Sequence, residues 1–176
     1  MSLFVVDVEA DGPCPGLYSM VSFGAVLVKD GDLDCFFYGK TKPMTEQFIP
    51  GALAACNTTR EQHLTYDDPK EVMTRFSQWI AQHNKGKPVF LSDNPAFDWQ
   101  FIHYYFIAHL GNNPFGHSAR RIGDLYAGLE HDFFASSKWK SLKKTKHTHH
   151  PVDDAMGNVE AFIAFTRQHK LRVPLG

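Results

Sequence analysis

Three short acidic segments carry the chemistry open to this sequence. Asp7 and Glu9 lie two residues apart in Phe4-Val5-Val6-Asp7-Val8-Glu9. Alternate side chains of a strand share a face, so both carboxylates are expected to point one way. Asp98 follows Asn94-Pro95-Ala96-Phe97, where a short strand gives way to an apolar helix. Asp153 and Asp154 follow His149-His150-Pro151-Val152, at the start of the last helical pattern. Each segment alone has an ordinary explanation: a strand end in solvent, an acid complementing a helix dipole, a helix cap. Together they put bare carboxylates into apolar surroundings, where they repel and are costly to bury.

Divalent cations relieve that repulsion. Oxygen-only ligands suit Mg²⁺ or Mn²⁺. Two such ions about 4 Å apart can activate a water and stabilise the leaving oxygen of a phosphodiester. A histidine beside that water can serve as general base, because imidazole titrates near neutrality. His147, His149 and His150 stand directly before the acidic pair and offer that group. A zinc site built on the three histidines is a competing reading, but their spacing is tight for a structural site and no cysteine completes it.

These segments need elements to hold them. Residues 3–8 are Val- and Phe-rich and read as a buried strand. Residues 10–19 carry two Gly and two Pro and form a loop. Residues 20–29 and 33–40 flank Asp30-Gly31-Asp32, a hairpin signal. Residues 41–66 read as a long connection. Asp67-Asp68-Pro69 opens a helix with Val72, Phe76, Trp79 and Ile80 at helical spacing. A short strand at 88–92 precedes a helix from about 96 to 110, closed by Gly111. A strand or turn near 120–122, a small helix at 123–130 and a last helix from about 153 to 169 follow. This order predicts an α/β fold, a mixed sheet with helices on its faces, and sites in such sheets gather at strand ends.

The 176 residues are 43% hydrophobic and 21% charged, an ordinary globular mixture expected to form one domain over 1–176. No apolar run approaches the roughly 20 residues that span a bilayer, and no membrane partner is expected. The chain starts directly into Leu3-Phe4-Val5-Val6, without the pattern of a signal peptide. Cys14, Cys35 and Cys56 form no metal-type pair, and an odd count suits a reducing cytoplasm. Net charge is −1, so the whole chain is not a basic nucleic-acid binder. Yet Lys138, Lys140, Lys143, Lys144 and Lys146 crowd together, and no acid occurs from 133 through 152. Such a run is either a solvated loop or a phosphate-facing patch.

In order and spacing these motifs resemble the DEDDh 3′→5′ exonucleases, a family with an RNase H-like fold that includes proofreading subunits, RNase T and oligoribonuclease. The first motif is similar to Phe4-Val5-Val6-Asp7-Val8-Glu9-Ala10-Asp11-Gly12. The second is similar to Asn94-Pro95-Ala96-Phe97-Asp98, and the third to His149-x-x-x-x-Asp154-Ala155. The resemblance spans residues 4–155. It implies that Asp7, Glu9, Asp98 and Asp154 hold two Mg²⁺ (or Mn²⁺) ions and that His149 deprotonates the attacking water. It implies stepwise release of nucleoside 5′-monophosphates from a free 3′ end of single-stranded or 3′-overhanging nucleic acid, and several relatives are homodimers.

Further expectations hang on this resemblance. Residues 9–12, including Ala10, Asp11 and Gly12, would approach the terminal nucleotide, partly through backbone groups. Ala10 stands where the family often has Thr, and Pro151 where it often has Ala. His147 and His150 compete with His149, and Asp153 with Asp154; the five-residue offset favours His149 with Asp154. Phe97 and Trp99 flank a metal ligand and either could stack a base or sit in the core. Leu17, Tyr18 and Met20 could pack a terminal base or the core. Lys143, Lys144 and Lys146 would track phosphates. The small chain is closer to the RNase T and oligoribonuclease branch and leans to RNA over DNA. A non-catalytic module that binds nucleic-acid ends is the alternative, against which the presence of all four acids and the histidine speaks.

Overall fold

A computed structural model describes residues 1–175. Three antiparallel strands, β1 (Ser2–Ala10), β2 (Met20–Leu27) and β3 (Phe36–Lys40), are extended by two parallel ones, β4 (Pro88–Ser92) and β5 (Ala119–Arg121). The order across the sheet is β3-β2-β1-β4-β5. The central position of β1 explains its sequence: strands paired on both sides and covered on both faces read as apolar runs.

Each face of β1 belongs to a different core. Phe4, Val6, Val8 and Ala10 pack with α3 (Pro69–His83) and α4 (Pro95–Leu110). Leu3 and Val5 pack with α5 (Ile122–Glu130) and α6 (Pro151–Gln168), where Ile122, Val159 and Phe162 close the second core. Asp7 and Glu9 continue this second face towards the strand end. Among the described residues no helix is long and apolar enough to cross a membrane.

The structure corrects several local expectations. The 41–66 connection contains two short helices, α1 (Pro50–Ala55) and α2 (Arg60–His63), too brief for a periodic signal. The second is set by a capping box in which Thr59 and Gln62 satisfy each other's backbone N–H. The lysine-rich stretch is no open loop at its start: Phe133–Leu142 is a 3₁₀ helix, anchored by the fully buried Trp139. The last helix begins at Pro151, two residues before its expected start, because proline is well placed at a first helical position with His150 as N-cap.

One glycine decides where α6 lies. Gly24 on β2 faces Asp7 on β1 in register, and paired residues share a face. A Cβ at Gly24 would lie 2.6 Å from the carbonyl carbon of Pro151 and from the Val152 nitrogen. The missing side chain therefore lets the first turn of α6 rest directly on the strand pair. We expect Gly24→Ala to force the helix outward and to destabilise the protein by about 1–3 kcal/mol, as overpacking does. Thermal melting checks this, and an unchanged melting temperature contradicts the close contact.

Candidate active site

The three acidic segments converge at one end of β1. Carboxylate oxygens of Asp7, Glu9 and Asp154 lie within 4.8 Å of one another. Strand alternation brings the first two to one face, and the seat of α6 on Gly24 brings the third. Asp98, in the first turn of α4, is buried at 4% exposure beside this group. It accepts a hydrogen bond from the Val8 N–H at 3.1 Å, which fixes it between Asp7 and Glu9 along the chain. It stands outside the closest trio and close enough for its charge to act on Asp7.

Asp153 and Asp154 separate clearly. Asp153 turns outward and accepts from the Thr148 hydroxyl at 3.0 Å. Asp154 turns inward, is 4% exposed, and accepts from the Thr148 N–H through Oδ1 at 3.1 Å. Its Oδ2 is buried without a hydrogen-bond partner. His147 Nδ1 approaches this atom at 2.8 Å, but out of line for a hydrogen bond. A buried carboxylate oxygen without a hydrogen bond, on a side chain clustered with two other carboxylates, is what a hard divalent cation would satisfy, and the all-oxygen donor set fits one.

The histidines are spread around the cluster. His149 is half-exposed, with Nδ1 3.8 Å from Glu9 Oε1, and its backbone takes the left-handed conformation at φ +57°. Its ring meets that of His147 with centroids 4.2 Å apart. His150 turns the other way, onto the Tyr38 ring and towards Asp153.

The expected substrate contacts divide. Asp11 is fully buried: its carboxylate accepts from the Ser19 N–H at 2.5 Å and pairs with Arg60 at 3.1 Å, and its backbone N–H and carbonyl are bonded to Ser19 and Ile49. It is a structural anchor, which corrects the expectation of a substrate contact. Gly12 is filled by the Tyr18 ring, whose atoms lie 2.1 Å from where a Cβ would be, and the Ala10 side chain is buried in the first core. Met20 is buried and Leu17 is exposed. Trp99 stacks on His103 and meets the edge of Phe90, so its ring is already used. Phe97 is half-buried beside Phe101. Lys143 is half-buried over the Trp139 ring, and the charges of Asp93, Asp154 and Asp7 act on it. Lys144 and Lys146 are exposed, and the backbone N–H groups of Lys144 and Thr145 donate to Glu160 on α6. Cys56, which no motif singled out, points its thiol at Glu9 Oε2 and the Ala10 carbonyl, each 3.6 Å away.

No protein-family model matches the chain. Over 165 residues it is 36% identical to the 3′-5′ DNA exonuclease Cap18 of Escherichia coli, a match covering 89% of this chain and 87% of that protein. Among solved structures, the nuclease domain of 3′hExo, a DEDDh family member bound to rAMP, matches with a TM-score of 0.74 at 17% identity, over 95% of this chain and 92% of that one. E. coli exonuclease I in complex with a dT13 oligonucleotide matches with a TM-score of 0.70 at 17% identity, over 97% of this chain and 42% of that one. The two structures speak to the fold, a five-stranded mixed sheet flanked by helices as in RNase H-like nucleases.

Crowding and burial perturb the acids. Burial, followed by the charges of Asp98, Asp154 and Glu9, holds the Asp7 carboxyl well above the usual carboxylate range, and Lys143 opposes this. Burial pushes Glu9 up to about 7, against the Cys56 thiol. Burial likewise pushes Asp98 up to about 7, against the Val8 N–H. The folded protein therefore keeps protons that the unfolded chain has released between pH about 4.5 and about 7. The stability these groups contribute is complete below that window and lost as pH rises through it. His63, buried and held below its ordinary value by desolvation, acts in the opposite sense. The acidic share is therefore read against Glu9→Gln. We expect metal-free wild type to lose melting temperature from pH 4.5 to 7 relative to that variant. Millimolar Mg²⁺ should restore it by binding the ionised folded state. Parallel pH curves for the two proteins, or identical melting in EDTA and Mg²⁺, contradict the assignment.

Proposed function

The chain belongs to the DEDDh family of 3′→5′ exonucleases and is a 3′→5′ exonuclease, and from that premise we propose that it shortens DNA from a free 3′ end, with Asp7, Glu9, Asp98 and Asp154 holding two divalent cations, Mg²⁺ or Mn²⁺, and His149 as general base. DNA is supported by the activity in the name of the 36% identical relative. This departs from the lean to RNA drawn from chain size. A single strand or 3′ overhang is supported by the likeness to a structure that holds a dT13 oligonucleotide. The observation that carries the proposal is the trio of carboxylates within 4.8 Å, one of them with a buried oxygen that makes no hydrogen bond.

Ions bound there supply charge neutralisation at the scissile phosphate and a more acidic water. The remaining work falls to the chain. Asp7 and Asp98 are placed from two elements by one strand, since Val8 between Asp7 and Glu9 holds Asp98 through its N–H. Cys56 steadies Glu9. His149 turns Nδ1 towards Glu9, which leaves Nε2 to take the proton of the water. Asp153, turned away, serves the loop rather than the ions.

His149→Ala is expected to lower turnover by about 10²–10⁴-fold while Mg²⁺ still raises the melting temperature, because a base and not a ligand is lost. His150→Ala should be mild, since that ring packs on Tyr38. Digestion of 5′-labelled DNA and RNA of one sequence checks both proposals. Wild type should produce a descending ladder with the label retained, faster on DNA. A dead His150→Ala beside a normal His149→Ala would move the base by one residue, and faster digestion of RNA would reverse the substrate.

A further inference from the structure

Two adjacent phenylalanines stand almost wholly in solvent. Phe133 and Phe134 are each 86% exposed, whereas the next most exposed aromatic among the described residues, Phe36, is at 43%. Their rings meet edge to face with centroids 5.6 Å apart, at the first turn of the 3₁₀ helix. This exposure is imposed by a fixed turn. Asp132 caps the Phe134 N–H at 3.0 Å, and Trp139, fully buried, ties the same helix into the second core. An exposed apolar patch held rigidly in this way marks an interaction surface.

A line of cations joins the pair to the carboxylate cluster. A groove of about 380 Å³ beside Phe133 is bounded on α5 by Ala127 and Gly128 and reaches Arg121; its two acids, Asp124 and Asp132, are paired with Arg121 and Lys138. Arg121 donates through Nε to the Asp93 carbonyl at 3.1 Å, and Lys140 Nζ pairs with the Asp93 carboxylate at 2.6 Å. Asp93 directly precedes the N-cap of α4, the helix that carries Asp98. Lys143 then lies over the Trp139 ring at 5.2 Å and beside Gly157 on α6, the helix that carries Asp154. Arg121 and Lys140 are each about half exposed in their acid pairs, and exposed pairs contribute little, so a phosphate can take the acid's place. Ten residues of 3₁₀ helix at about 2 Å each span at most about 20 Å. A stacked strand rises about 3.4 Å per nucleotide, so the span corresponds to about six nucleotides, fewer if extended.

A polyanion that presents base faces and phosphates in turn matches both features. We propose that Phe133 and Phe134 form a stacking platform for bases several nucleotides upstream of the scissile bond, with Arg121, Lys140 and Lys143 along the phosphates between. This rests on the exonuclease reading and adds to it the length of strand that the protein holds. Base stacking on an aromatic ring contributes roughly 5- to 100-fold in affinity.

The test uses fluorescent phosphorothioate oligodeoxythymidylates of about 4 and about 20 nucleotides, which resist hydrolysis, with the whole protein in Mg²⁺. The double variant Phe133→Ala/Phe134→Ala should lose roughly 5- to 100-fold in affinity for the longer strand, while the shorter one is little affected. Phe133→Trp/Phe134→Trp should restore it. Unchanged binding of the longer strand, or an equal loss on both lengths, overturns the platform. So does a change in sedimentation with strand binding intact, which would make the pair a protein contact. Wild-type digestion of an ordinary DNA strand is measured beside these. Its absence refutes the exonuclease reading, independently of what the phenylalanines do.

Discussion

Like charges in an apolar setting repel, and the rest of this structure is arranged around a place where they are nonetheless brought together. Asp7, Glu9 and Asp154 share one small volume and Asp98 borders it. Two of the four acids stand in the first turns of helices, Asp98 on α4 and Asp154 on α6. There the aligned peptide dipoles favour negative charge. The other two are fixed by the ladder of the central strand. The sheet, the two helix starts and Gly24 thus form one device for holding repelling groups at close quarters.

The cost of that arrangement is spread over neighbours with no chemistry of their own. The Val8 N–H and the Thr148 N–H each take one carboxylate oxygen, and the Cys56 thiol leans on Glu9. Lys143 is the one cation among the groups acting on Asp7. The loop before α6 is tied to the first turn of that helix, because Thr148 binds Asp153 through its hydroxyl and Asp154 through its backbone. His149 follows in a left-handed conformation that few non-glycine residues adopt.

A second buried ionic group steadies the loop after β1. Asp11 gathers the Ser19 N–H, Arg60 and, at 3.6 Å, His63. Arg60 also reaches the Thr45 carbonyl and lies over the Phe48 ring. The group binds the first-motif loop to α2, across a stretch that the sequence presents as an unstructured connection. Removing either partner of such a pair would leave an uncompensated buried charge, which is strongly destabilising.

The acids, the histidine cluster and the order of strands and helices were legible in the chain because each has a local signature: alternation on β1, proline and acidic starts of helices, an apolar period of helical length. Asp154 was preferred to Asp153 only through the offset from His149 in a family motif, and it is Asp154 that turns inward. The fates of Asp11, Gly12 and Trp99 were not legible, because a motif position says nothing of what else reaches it, and Arg60, Tyr18 and His103 arrive from elsewhere in the fold. Nor does composition distinguish Lys143, half-buried at the acids, from Lys146 in solvent. The sequence alone determined which residue types were available and on which local element each would sit. The tertiary structure decided which of them meet, since side chains distant along the chain become neighbours only through sheet order and through the close seat of α6 on Gly24.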